Sequence, residues 1–161
     1  MLFDPGQRRW MKFTKPSSAG YIVALTGNSI DLYPATPLQY LERWNIHDSL
    51  FADTVELIGL AGRDYHRRIV IAQPDIIGED PTWDEINDAF ALRLRMRELV
   101  LNKQLGGYDS RAYFMGRIGV FDVRPANCVR TATGTVVPID VIPQFFSRQD
   151  ADILKKLVKQ G

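Results

Sequence analysis

The stretch Phe121-Asp122-Val123-Arg124-Pro125-Ala126-Asn127, followed after one short hairpin by Val137-Pro138-Ile139-Asp140, decides how this chain is read. An apolar strand end delivers Asp122, and Asn127 closes a loop five positions later. Val129-Arg130-Thr131 and Val136-Val137 then flank Ala132-Thr133-Gly134, a tight-turn signal that brings the two ends of the segment close together. Asp140 sits in the run Val136 to Ile142, apolar apart from Pro138, where a carboxylate is costly to bury without a cation or hydrogen-bond donors. With 14 Asp and 5 Asn in 161 residues, an Asp–Asn pair at this offset arises by chance about 0.4 times, and a further Asp at one fixed later offset lowers that to about 0.04. The triple is more specific than any of its pairs.

Outward from this segment, bulk properties narrow the classes. A chain of 161 residues, 45% hydrophobic and 24% charged, suits one globular domain. The 20 basic and 19 acidic residues nearly cancel, so no global field recruits nucleic acid or an anionic membrane. Arg93, Arg95 and Arg97 form a local basic cluster, but Asp84, Glu85, Asp88 and Glu98 dilute it, and it reads as a solvated helix face. No run approaches the roughly 20 apolar residues of a membrane span and the start has no signal-peptide character, so a cytoplasmic protein is expected. Cys128 is the only cysteine, and with only His47 and His66 beside it a zinc site is not expected. Cys128 itself reads as a packing residue, with no sign of a nucleophile.

The element pattern is mixed. Arg8 to Thr14 and Gly20 to Leu25 read as a first hairpin, followed by a loop from Thr26 to Ala35. Thr36-Pro37 starts a helix running to about Leu50. Thr54 to Leu60 and Arg68 to Ala72 form a second hairpin about Gly62-Arg63-Asp64. Thr82-Trp83-Asp84-Glu85 matches a capping box, and a helix is expected from Ile86 to about Gln104, although Leu92 to Arg97 alternates with the period of a strand. Tyr113 to Val120 is extended, and Ser147 begins an amphipathic helix from Arg148 to Lys159. Without βαβ alternation, the class is α+β.

A phosphotransferase needs a carboxylate near the acceptor hydroxyl, an amide or carboxylate on Mg²⁺ and a second carboxylate bridging metal to phosphates. Asp122, Asn127 and Asp140 supply that inventory, in the D-x-x-x-x-N order of a kinase catalytic loop. Together with Trp10-Met11-Lys12, Ala35 to Arg43 and Ile71-Ala72-Gln73-Pro74, these residues make the chain resemble the protein-kinase-like superfamily, most closely the compact kinase-like domains of bacterial and phage polyvalent proteins. The resemblance covers most of the chain. It implies one kinase-like domain over residues 1–161, with an N-lobe-like sheet and helix over about 1–75 and a reduced C-lobe over about 76–161. It further implies that Lys12 pairs the phosphates of ATP, Glu42 is its helix partner and Asp122 is the catalytic base. Arg124 would be a cation for the transferred phosphate, and Asn127 and Asp140 would be Mg²⁺ ligands. Gln73, Asp75 and Ile76 would belong to a hinge that meets adenine through backbone groups.

Residue by residue, blander readings stand beside these. Lys12 on a strand and Glu42 on a helix can both be ordinary solvated charges, and an Asp ahead of a Pro-containing loop often caps a turn. No glycine-rich hairpin lies well upstream of Lys12, and only 21 residues follow Asp140. Two functional expectations therefore stand: an ATP- and Mg²⁺-dependent phosphotransferase with an unassigned hydroxyl acceptor, or a catalytically degenerate kinase-like module that binds a partner or a nucleotide without turnover, or serves as one part of a larger assembly.

Overall fold

The computed structural model describes residues 1–27, 29–52, 54–101, 105 and 109–159. It mixes helices and antiparallel sheets, in accord with the α+β reading. The chain divides into two compact units, the first comprising residues 1–22 and 33–76, the second residues 23–32 and 77–161.

The first unit is built on four strands, β1 (Leu2–Asp4), β2 (Arg9–Phe13), β5 (Glu56–Ala61) and β6 (Arg68–Pro74), in the spatial order β1-β2-β6-β5. Helix α1 (Pro37–Phe51) forms where expected. Thr36 accepts the Gln39 N–H and the Gln39 side chain accepts the Thr36 N–H, so two of the orphan donors at the helix start are satisfied reciprocally. Its Tyr40 and Trp44 pack with Ile69 and Ile71 of β6, which fixes the helix on one face of the sheet.

The expected first hairpin is corrected. β2 is flanked by β1 and β6, whereas β3 (Tyr21–Thr26) pairs with β4 (Ser29–Pro34), the segment read as loop. Ser29-Ile30-Asp31-Leu32 carries the period-two alternation of a strand, and Gly27, at φ +62°, supplies a backbone conformation suited to a tight turn. The tip of this hairpin, residues 23–32, belongs to the second unit.

In the second unit, β7 (Arg97–Glu98), β8 (Arg111–Met115), β9 (Ile118–Val123) and β12 (Ile142–Phe145) form a sheet ordered β12-β9-β8-β7. Val23, Ile30, Phe114, Phe121, Phe146 and Leu154 share its core. The last of these comes from α3 (Arg148–Lys156), whose Ser147 accepts the Asp150 N–H as expected of its cap. β10 (Cys128–Arg130) and β11 (Val136–Pro138) form the expected tight hairpin.

The long helix from Ile86 is also corrected. The capping box of Thr82 and Glu85 is present, but α2 spans only Trp83–Asn87, and a π-helical turn over Asp88–Arg93 ends it. Arg95 adopts φ +55°, which a continuing helix cannot accommodate, and Arg97 and Glu98 then pair with Phe114 and Tyr113. Of the alternating run Leu92 to Arg97, only Arg97 lies in a strand, so the alternation did not mark one. The expected end at Gln104 lies outside the described residues. Among those described, no helix is long and apolar enough to cross a membrane.

Candidate functional site

The residues singled out around Asp122 meet in the second unit. Strand β9 delivers Asp122 with φ +54°, a left-handed conformation that Asp tolerates better than most residues. The chain then enters a single 3-10 turn, Pro125–Asn127, with Pro pre-setting the backbone at its start. This turn folds Asn127 back onto Asp122. The buried Asn127 amide donates from Nδ2 to the Asp122 carbonyl oxygen (2.8 Å) and to its Oδ2 (2.9 Å). With both amide hydrogens committed, Oδ1 is the atom Asn127 can offer to a cation or donor.

Asp140 is brought to the same place by the backbone. Asn127 C=O accepts the N–H of Ile139 (2.8 Å) and, more weakly, of Asp140 (3.4 Å), closing the β10–β11 hairpin onto the turn that carries Asn127. Asp140 is exposed. Arg124 places Nε 3.5 Å from Asp122 Oδ1, so a cation flanks the carboxylate opposite the amide. Cys128, next to Asn127, is buried, and burial pushes its thiol up to about 12, which leaves it protonated and inert at ordinary pH.

No protein-family model, curated protein or solved structure matches the chain.

A second set of contacts secures this hairpin and was not read from the sequence. Glu79 and Arg130 exchange both backbone hydrogen bonds (3.0 and 2.8 Å), adding residue 79 as a bridge beside β10. The Arg130 guanidinium reaches the carboxylates of Glu79 (2.7 Å) and Glu85 (3.4 Å). A Cβ on Gly78 would stand 2.1 Å from the Arg130 carbonyl oxygen, so only glycine permits this approach. The contact is long-range in sequence, and no local pattern announces it.

Lys12, Glu42, Gln73, Asp75 and Ile76 lie in the first unit. Lys12 projects onto the α1 face of the sheet, its Nζ 5.0 Å from the centre of the Trp44 ring. Glu42 is exposed and, two residues from Trp44, lies about 200° around the helix from it. Lys12 and Glu42 are therefore not brought together. Gln73 is buried at the end of β6, opposite Trp10 of β2. Asp75 donates its N–H to the Arg8 carbonyl (2.9 Å), while its carboxylate accepts Trp10 Nε1 (3.0 Å) and pairs with Arg8 (3.4 Å). Half-buried Ile76 is the last residue of the unit.

In type, the oxygen donors carried by this segment suit a hard cation. Asn127 Oδ1 and the Asp140 carboxylate are the oxygen ligands Mg²⁺ prefers, and Mg²⁺ commonly takes only one or two protein ligands, completing its shell with water and phosphate oxygens. Among the described residues no group of three or more His, Cys, Asp and Glu side chains forms a denser metal cluster.

Proposed function

We propose that this chain is a kinase-like phosphotransferase that uses ATP and Mg²⁺ to phosphorylate a hydroxyl acceptor. One observation carries the reading: the Asn127 side chain binds Asp122 while its backbone carbonyl accepts the N–H groups of Ile139 and Asp140, which ties the three chain positions of the motif together. In this reading Asp122 takes the proton of the acceptor hydroxyl, held in place by the Asn127 amide. Arg124 adds positive charge where a phosphoryl group would arrive. Asn127 and Asp140 hold Mg²⁺, which would neutralise charge on the phosphates. Lys12, whose Nζ lies over the Trp44 ring, keeps the phosphate role that the resemblance implies.

For adenine, we assign the contacts within the expected hinge from the phase of β6. The backbone of Gln73 faces β2 and the Asp75 N–H is engaged by Arg8, so neither points outward. The alternation of a pleated strand turns the Pro74 carbonyl the other way, and the adenine contacts are assigned to it and to the Ile76 N–H.

A second reading, a degenerate kinase-like module that binds without turnover, is favoured by the separation of Glu42 from Lys12. Thermal unfolding with millimolar ATP and Mg²⁺ tests the nucleotide site, and ATP turnover separates the two readings. A ligand at about 100 times its Kd stabilises the native state by about 2.7 kcal/mol, so the midpoint should rise by several degrees, and Asp140→Asn should abolish the metal-dependent part. A phosphotransferase also shows slow ATP hydrolysis that Asp122→Asn removes. Absence of any shift up to several millimolar ATP sinks the phosphotransferase reading.

A further inference from the structure

The first unit's sheet has two outer strands, β1 and β5, each with a single neighbour among the described residues. β5 is an outer strand, paired to β6 on one side only. The phase of its backbone follows from two bonds on the far side of β6: Thr14 N–H to the Ile69 carbonyl (3.1 Å) and Asp75 N–H to the Arg8 carbonyl (2.9 Å). Residues 69, 71 and 73 therefore turn their backbone groups to β2, and Arg68, Val70 and Ala72 turn theirs to β5. Their partners Glu56, Gly59 and Ala61 face inward. Leu60 then directs its N–H and C=O away from the sheet.

The side chains at this edge are uncovered. Leu57, Ile58 and Leu60 are 55%, 41% and 66% exposed, although Leu57 and Leu60 stand opposite Ile71 and Ile69, on the face that α1 packs against. From β5 the chain enters Gly62-Arg63-Asp64-Tyr65-His66-Arg67-Arg68, in which Arg63, His66, Arg67 and Arg68 are all exposed and Asp64 is the sole acidic residue. An unpaired strand edge, an apolar row and a concentration of arginine thus adjoin one another. The register shift between Leu57 and Gly59 breaks the regularity of the edge, a feature that discourages identical copies from stacking edge to edge. It also confines any added strand to the part nearest the arginines.

We propose that this edge receives an extended acidic segment of a partner protein. The segment adds a strand beside Gly59–Ala61, lays apolar side chains against Leu57 and Leu60, and sets its carboxylates among Arg63, Arg67 and Arg68. A nucleic acid fits less well, because the uncovered row is aliphatic and offers bases no stacking platform. The inference is independent of the nucleotide reading.

The test is fluorescence anisotropy with a labelled synthetic peptide of about 12 residues, four glutamates followed by alternating valine and threonine. A control peptide carries lysines in place of the glutamates, and a labelled oligothymidylate of similar charge completes the set. The acidic peptide should bind with a Kd on the order of 10 μM, weakening with salt. Arg63→Glu with Arg67→Glu should weaken it at least tenfold. Leu60→Pro removes the outward N–H without touching a bond to β6, and should weaken it by a similar factor with the circular dichroism spectrum unchanged. Leu60→Asp gives the same reading through the side chain should the proline variant misfold. Equal binding of the lysine peptide, binding of the oligothymidylate alone, no binding up to about 1 mM, or unchanged affinity in both Leu60 variants would each overturn the proposal.

Discussion

Asp122 combines a left-handed backbone with a committed carboxylate, and the two demands separate by substitution. Asn adopts positive φ at least as readily as Asp, so Asp122→Asn should keep stability within about 0.5 kcal/mol, whereas β-branched Asp122→Val should cost about 1–3 kcal/mol from strain alone. Chemical denaturation of the two variants measures the difference. If Asp122 is the base, the Asn variant also loses on the order of 10²–10⁴ in turnover while retaining the ATP-dependent shift in melting. The buried acids Cys128 and Tyr113 make a second prediction at this scale. Burial raises both in the folded chain, each to about 12, from ordinary values of 9.0 and 10.0. A raised folded value favours the neutral form, so the stabilisation is full below the unfolded value and is lost as pH rises toward 12. Stability should therefore fall above about pH 9 by up to about 1.4 kcal/mol per pH unit, and more steeply above about pH 10. Cys128→Ala should hold the curve flat to about pH 10 in denaturant titrations run across that range.

Elements whose signals are local were legible, and those set by distant partners were not. Thr36 with Gln39 and Thr82 with Glu85 announce their helix starts, because a capping box is chemistry within four residues. The Gly134 hairpin, the side-chain bond from Asn127 to Asp122 and the backbone bonds that tie Asn127 to Ile139 and Asp140 likewise follow from short spacings. The pairing of β2 with β6 depends on residues about 60 positions apart, and nothing in Arg8 to Thr14 distinguishes that partner from β3; the pairing of β2 with β1 is local and was not read from the sequence. The α2 helix stops early because Arg97 and Glu98 find β8, a choice invisible to helix propensity. Residue 78 shows the same limit within the candidate site: its sequence neighbours suggest an ordinary turn, yet it passes against the Arg130 carbonyl. Gly78→Ala should force that segment off β10, breaking the Glu79–Arg130 bridge at a cost of about 2–4 kcal/mol. Faster hydrogen exchange at the Glu79 and Arg130 amides would report it, and unchanged exchange with unchanged stability would show that the segment shifts freely.

At the scale of the whole molecule, the two units interleave along the chain. A cut after Ile76 follows the boundary between the units only in part, because residues 23–32 belong with 77–161. Val23 and Ile30 are buried in the second unit's core, with Leu25 and Leu32 packed against it. The Gln144 side chain also accepts the Val23 N–H (2.8 Å) and donates to the Val23 carbonyl (2.7 Å), so one amide does for the hairpin what a neighbouring strand would. Burying two such aliphatic side chains stabilises by about 3–6 kcal/mol, a large part of the net stability of a domain this size. A fragment of residues 77–161 should accordingly lack cooperative unfolding and bind hydrophobic dyes. Restoring residues 23–32 through a flexible linker should recover a sigmoidal transition. Gln144→Ala in the full chain, which leaves Val23 with two unmatched backbone groups, should cost about 1–3 kcal/mol and accelerate exchange of the Val23 amide before that of β1 and β2. A fragment 77–161 that melts cooperatively on its own would mean that the hairpin tip rests on the second unit without completing its core.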